Sequence, residues 1–277
     1  MPENRIITLT TDFGVNDHYV GAMRGVILNI HPQAQIVDIC NTIPSFDILE
    51  GAMTVAQAYH YFPTNTVNMV IVDPGVGTSR HPLLVATERH YFLAPDNGVL
   101  SLVYEQESRI TVRRIDAAHY FLQPVSQTFQ GRDIFAPVAG WLSKGVDPSN
   151  FGEITTEYVR FSMPHAKIVD ECTMKAVVLK ADRFGNLITN LRPEDLPQLF
   201  PTPKTEFKIF LGAVPITKIK HAYGEGVVGE LFALVGSMGY IEIAANRGSA
   251  AALTQAGKGS EVRIVFSTPQ FTPPAAL

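Results

Sequence analysis

The stretch Val67-Asn68-Met69-Val70-Ile71-Val72-Asp73-Pro74-Gly75-Val76-Gly77-Thr78-Ser79-Arg80 decides how the rest of the chain is read. Its first six residues have the apolar, β-branched character of a buried strand, and Asp-Pro with two glycines ends that strand in a turn. Glycine lets backbone turn at positive φ or come close to a ligand, and Arg80 is placed to fold back onto Asp73 as its charge partner. Ligands of open α/β sheets sit at the carboxyl ends of the strands, so a carboxylate and a guanidinium at this tip mark the first place to look for chemistry. A capped turn with an exposed ion pair is the competing reading.

Upstream, Ile6 to Thr11 is β-branched and apolar, Thr11-Asp12-Phe13-Gly14 breaks it, and Tyr19, Val20, Met23, Val26, Ile27 and Ile30 recur at helical spacing. Asp12 therefore falls at a strand's carboxyl end, as Asp73 does, and Asp17 lies near the start of the following helix. Capping is the competing role for both, and it suits Asp17 better than Asp12. Ile36 to Ile39 reads as a second strand and residues 46 to 61 as a helix. The resulting β-α-β-α-β series predicts a mostly parallel sheet with helices on both faces. Leu83 to Ala86 and Tyr91 to Leu93 add strands, and in Ala94-Pro95-Asp96-Asn97-Gly98 the two Asx residues read as a helix cap before they read as ligand contacts. Thr128-Phe129-Gln130-Gly131-Arg132-Asp133 opens a helix through Ile134, Phe135, Val138 and Leu142. Gln130 and its neighbours can bind a polar group there, or form a surface ion pair beside a glycine turn.

Around residues 160–170 the pattern changes to short β-rich pieces separated by glycine and proline turns, which predicts a small antiparallel barrel or sandwich. The expected division is an α/β domain over 1–162 and a barrel-like domain over 171–277. Two polar loops stand out in the second part: Asp182-Arg183-Phe184-Gly185-Asn186, too polar for a simple hairpin, and Gly236-Ser237-Met238-Gly239-Tyr240 with Asn246-Arg247-Gly248-Ser249.

Composition narrows the function. The chain has 277 residues, 46% of them hydrophobic, and a net charge of −4 from 22 basic and 26 acidic residues mixed along its length. With no basic stripe to neutralise phosphates, nucleic acid is not an expected partner. Cys40 and Cys172 lie outside any CxxC spacing and are expected as buried thiols in a reducing cytoplasm. Met1 to Arg5 leads into a strand pattern with no apolar signal core, and no run has the length of a membrane span, so a soluble, cytoplasmic protein is expected. The histidines show no ligand spacing, so no metal is expected. Neither GxGxxG after the first strand nor a phosphate loop is present.

Several segments in order along nearly the whole chain resemble the S-adenosyl-L-methionine (SAM) hydroxide adenosyltransferase family, the SAM hydrolases that form adenosine and methionine, which are related to SAM-dependent fluorinases and chlorinases. They are Thr10-Thr11-Asp12-Phe13-Gly14, Asp73 to Arg80, Ala94 to Gly98, Gly131-Arg132-Asp133-Ile134-Phe135-Ala136-Pro137, Asp182 to Asn186 and Asn246 to Ser249. The resemblance implies a trimer with sites at subunit interfaces and SAM as substrate, without a cofactor. It implies that Asp12 takes the ribose hydroxyls, that Asp17, Asp182 and Ser237 grip the methionine ammonium and carboxylate, that Asn186 and the backbone near Arg247 meet the adenine, and that Phe184, Met238 and Asn246 bind substrate beside them. Asp73 and Arg80 match two members of an Asp-Arg-His set that orients and activates water. At the third position this chain has Gln130 where His is common. The halogenating relatives lack the Asp-Arg pair, so its presence argues for hydroxide over halide.

The chemistry agrees with that assignment. A sulfonium leaves as a neutral thioether, so substitution at ribose C5′ needs no acid for the leaving group, only an in-line nucleophile stripped of bulk water. Arg80 stays charged and cannot serve as a base, which leaves Asp73 as the proton acceptor of the pair.

Overall fold

The computed structural model describes residues 6–272, and the N-terminal stretch Met1–Arg5, read above as lacking a signal core, lies outside them. The chain divides into two compact units, Met1–Ser162 and Met163–Leu277.

In the first unit the elements are β1 (Ile6–Thr11), α1 (Tyr19–Ile30), β2 (Gln35–Cys40), α2 (Ile48–Ala58), β3 (Val67–Ile71), β4 (Pro82–Ala86), β5 (Tyr91–Pro95), α3 (Ser101–Gln106), β6 (Thr111–Arg114) and, after one π-helical turn at Gly131–Phe135, α4 (Ala136–Ser143). The six strands form one sheet in the order β2-β1-β3-β5-β4-β6. Pairs β1–β2, β1–β3 and β3–β5 are parallel, while β4 runs antiparallel to both β5 and β6. Edge strand β6 is not among the expected strands; core-facing Val112 is the one apolar residue in it.

Strand β3 shows why the sheet is covered on both sides. Its odd residues Val67, Met69 and Ile71 join Met23, Ile27, Phe135 and Val138 in the layer of α1 and α4. Its even residue Val70, with Val72 beyond the strand, joins Val55, Val99 and Val103 in the layer of α2 and α3. Alternation of side chains along a strand sends the two sets to opposite faces, and a strand buried on both loses its polar positions. The one polar residue inside β3, Asn68, is fully buried and accepts a hydrogen bond from Thr8 Oγ1 at 2.8 Å.

In the second unit β7 (Lys167–Ile168), β8 (Thr173–Ala181), β9 (Leu187–Thr189), β10 (Phe207–Leu211), β11 (Val214–Ile216), β12 (Leu231–Val235), β13 (Ile241–Ala245) and β14 (Glu261–Phe266), with the short helix α5 (Ala250–Thr254), make an antiparallel sheet. Its order is β11-β10-β14-β8-β9-β13-β12, with β7 beside β8. The chain after β11 turns back to the far edge: Ala233 N–H donates to Lys218 O at 2.8 Å and Lys220 N–H to Ala233 O at 2.9 Å. That contact nearly closes the sheet into a barrel around Val178, Leu187, Ile209, Ile241, Ile243 and Ile264. Closure removes most of the open edge that such short strands would otherwise present. The loop 182–186, judged too polar for a hairpin, is the β8–β9 hairpin connection; its polar groups are consumed in holding the turn. Cys40 and Cys172 are free and partly exposed rather than buried. Among the described residues no helix is long and apolar enough to cross a membrane.

One buried group of the first unit titrates in an accessible range. His90 is 2% exposed, neither ring nitrogen has a partner among the described residues, and burial, followed by the Arg89 charge, lowers its pKa from 6.5 to about 4. The unfolded chain therefore binds more protons between these values, so stability rises with pH across that window and is lost as pH falls through it. We expect urea unfolding to show a loss of up to about 3 kcal/mol between pH 6.5 and 4 that His90→Leu removes; an unchanged pH slope in the variant would contradict it.

Candidate active site

In the first unit the carboxyl ends of β1 and β3 lie side by side, Thr11 in register with Ile71. Asp12 and Asp73, which follow these strands, therefore reach the same rim. Asp12 Oδ2 accepts from the Phe46 N–H at 2.9 Å. Phe46 holds a positive φ of 68° to aim that N–H, a conformation uncommon outside glycine, and leaves its ring 70% exposed. Burial raises the pKa of Asp12 above the usual carboxylate value; the N–H bonds of Phe46 and of its own backbone oppose this, and the Asp73 charge adds to it. Asn41, just after β2, fixes the β1 exit: it accepts from Thr11 Oγ1 at 2.9 Å, and its carbonyl accepts from Gly14 N–H at 2.7 Å.

Asp73 and Arg80 form a forked pair. Arg80 Nε lies 3.1 and 2.9 Å from the two Asp73 oxygens and Nη2 bonds Oδ2 as well. The side chains are 6% and 9% exposed, so the pair is buried, not a surface ion pair on a capped turn. Three contacts set the loop that carries it. The Asn97 amide donates to Val72 O at 2.8 Å, directly before Asp73. The guanidinium of Arg80 lies over the Phe135 ring, 5.7 Å from its centroid. Gly77, at φ 78°, lies so close to Gln127 that a Cβ there would stand 2.3 Å from the Gln127 carbonyl oxygen. Only glycine permits this approach. The last two contacts seat the loop on either side of Gln130 in the chain, at Gln127 and at Phe135.

Gln130 precedes the π-helical turn, an irregularity common at functional sites. Its Oε1 is buried and has no partner among the described residues. Beside it Asp133 is fully buried: it accepts from Ser126 N–H at 2.8 Å and from Arg132 Nε at 2.6 Å, which makes it a fastener of the 126–133 loop instead of half of a surface pair. Asp17 is exposed and does not cap α1, whose N-cap is His18 with no side-chain bond. Asp96 and Asn97 do not cap α3 either: Asn97 makes an Asx turn onto Val99 N–H, and Asp96 accepts from Val159 N–H.

The second unit has an open cleft of about 780 Å³ whose lining includes Asp182, Phe184, Asn186, Ser237, Met238 and Arg247. Six of the seven residues singled out in this unit thus share one cavity. Asp182 organises its own loop, accepting from Phe184 N–H and Asn186 N–H on Oδ1 at 2.9 and 2.8 Å and from the Asn186 amide on Oδ2 at 2.8 Å. Phe184 is left 77% exposed at the rim. The seventh residue, Asn246, does not line the cleft; its amide donates to Gly226 O at 2.6 Å and so ties down the 226–229 segment. Sequence reasoning missed other residues of the lining, Tyr223 and Glu242 among them. Glu242 carried a signal, since an acid inside the apolar strand Ile241-Glu242-Ile243-Ala244 needs a reason to be buried. Asn41 and Phe46, which hold Asp12, belong to no motif.

Comparison with known proteins shows the family. Residues 7–152 match the SAM hydroxide adenosyltransferase N-terminal domain and residues 176–263 the C-terminal domain of the same family. The chain is 35% identical over 271 residues to a protein of Methanocaldococcus jannaschii named (R)-S-adenosyl-L-methionine hydrolase, covering 94% of this chain and 96% of the relative. It is 32% identical to one of the same name from Thermus thermophilus, covering 94% and 100%, and 26% identical to a fluorinase of Nocardia brasiliensis, covering 89% and 92%. The crystal structure of an uncharacterized conserved protein from Thermotoga maritima superposes with a TM-score of 0.85 at 34% identity, covering 94% of this chain and all of that one. With both halves matched in order, and with relatives above 30% identity along nearly their whole length, the chain belongs to the SAM hydroxide adenosyltransferase family.

Proposed function

We propose that this protein hydrolyses SAM to adenosine and L-methionine by attack of water or hydroxide on ribose C5′. The observation that carries the reading is the buried Asp73–Arg80 pair at the β3 exit, in a chain whose relatives at 31–35% identity are named as hydrolases of (R)-SAM. In the step, the water oxygen forms a bond to C5′ while the C5′–S bond breaks, its electron pair going to sulfur and leaving neutral methionine. The proton of the nucleophile goes to the Asp73 carboxylate and from there to solvent. Arg80, charged at every working pH, holds that carboxylate in place through its fork and favours hydroxide near it. The buried amide oxygen of Gln130 can accept from the attacking water and keep it in line, but an amide cannot take its proton. Asp12 is assigned to the ribose hydroxyls, and Asp17, Asp182, Ser237 and Met238 to the methionine end. Phe184, Asn186, Asn246 and Arg247 are assigned to the adenine side, where Asn246 would act through the 226–229 segment it restrains.

The reaction we propose needs no metal or other cofactor, because a thioether leaves without a Lewis acid. The assembly we propose is a homotrimer with each site completed between subunits, and the location the cytoplasm, where the thiols of Cys40 and Cys172 stay reduced.

The direct test is to incubate the purified protein with each sulfonium epimer of SAM, with and without EDTA, and to resolve the products. Adenosine and methionine in equal amounts from the (R) epimer, unaffected by EDTA, are expected; SAM recovered intact, or a 5′-halo-nucleoside in chloride or fluoride buffer, would overturn the assignment. Asp73→Asn and Arg80→Ala should each lower kcat about 10²-fold or more with little change in SAM affinity, whereas unchanged turnover in both would make the pair purely structural. For the assembly, co-expressing Asp12→Ala with Asp182→Ala, each inactive alone, should restore roughly a quarter of wild-type activity if sites form between subunits at random; no recovery would point to sites made within one chain.

A further inference from the structure

Glu242 is the least expected group in the second unit. It is the second residue of β13, is 4% exposed, and belongs to no ion pair among the described residues. An acid buried without a cation costs several kcal/mol unless something compensates it. Two features of its surroundings show that the carboxyl is held in a defined place. The Tyr223 hydroxyl donates to Oε2 at 2.8 Å. Gly236 lies so close that a Cβ there would stand 1.8 Å from Oε1, so the backbone next to Ser237 is shaped around the carboxyl. Burial raises the pKa of Glu242; the Tyr223 hydroxyl opposes this and the neighbouring Asp182 charge adds to it. Tyr223 itself is pushed up, first by burial and then by its bond to Glu242. The other charged residues that line the cleft are Asp182, Lys180 and Arg247.

The Asp182 charge raises the cost of ionising the buried Glu242, and a cation arriving beside the two carboxyls lowers it. Asp182 alone is a weak anchor for an ammonium, because three of its roughly four acceptor sites already serve its own loop. Glu242 accepts one hydrogen bond among the described residues, from Tyr223, and keeps the rest of its capacity. Resting on the hydrolase reading above, we propose that Glu242, oriented by Tyr223, is a substrate-binding carboxylate that takes the α-ammonium of the amino-acid end beside Asp182. Tyr223 is then a positioning residue, acting through Glu242. The pair selects for substrates with a cationic amine over those that lack it.

The test compares SAM with its analogue in which the α-ammonium is replaced by hydroxyl, titrated by calorimetry into the wild type, Glu242→Gln and Tyr223→Phe. The wild type should prefer SAM by about tenfold or more, and the preference should shrink to about threefold or less in Glu242→Gln and fall part of the way in Tyr223→Phe. In turnover, KM for SAM should rise while kcat falls far less. A wild-type preference retained in both variants would overturn the assignment. Should Glu242→Gln not fold, Tyr223→Phe carries the same comparison. Calorimetry keeps this result separate from the hydrolase reading: a wild type that makes no adenosine but loses its preference in Glu242→Gln retains the binding role and removes the hydrolysis.

Discussion

A carboxylate and a guanidinium joined by a forked hydrogen bond, both almost out of water, form the constraint around which the first unit's site is arranged. Such a pair is a poor device for stability alone. Desolvating each charge costs several kcal/mol, and well-packed apolar residues would often do as well, whereas removing one partner strands the other at a cost of about 3–5 kcal/mol. Its place at the exit of β3 gives a better account. Strand alternation sends odd positions to the layer of α1 and α4, and Arg80 lies over Phe135 of that layer. Asn97 grips the strand end on one side and Gly77 meets Gln127 on the other. The result is a fixed anionic oxygen in a half-dry setting, which suits a group that must orient a small nucleophile without moving at the moment of reaction.

The candidate regions of the two units share one electrostatic feature. SAM carries a sulfonium and an ammonium, and both candidate regions are lined by carboxyls. In each, burial raises the pKa of one of them, Asp12 in the first unit and Glu242 in the second, and a second acid, Asp73 or Asp182, adds to the effect. Sites of this kind are stabilised by arrival of a cation. The neutral products lose that attraction in part, since methionine leaves without the sulfonium charge.

The fold was legible because its signals are local: a doubly buried strand ending in Asp-Pro-Gly, helical spacing after it, and short strands with glycine turns beyond residue 170. The candidate site was legible where residues sit in turns that need special backbone, as at Asp73, Gly77, Asp182 and Gly185. Misreadings have physical causes. Strand β6, Thr111–Arg114, escaped notice because it lies at the sheet edge, and an edge exposes polar side chains that hide the pattern. Asp182 to Asn186 is polar because the hairpin consumes its own side chains. Asp17 stands next to the helix start, yet the N-cap is His18, one residue further on. Asn41, Phe46, Tyr223 and Glu242 act through contacts distant in sequence, so nothing in their neighbours announces them.

The claim on which the account turns is that water oxygen becomes the 5′-hydroxyl oxygen of adenosine. Turnover of SAM in water enriched in oxygen-18, followed by mass spectrometry of both products, measures it directly. The account predicts one heavy oxygen in adenosine, at the 5′ position, and none in methionine. Unlabelled adenosine, or label appearing in methionine, would contradict attack at C5′ and the role given to Asp73 and Arg80.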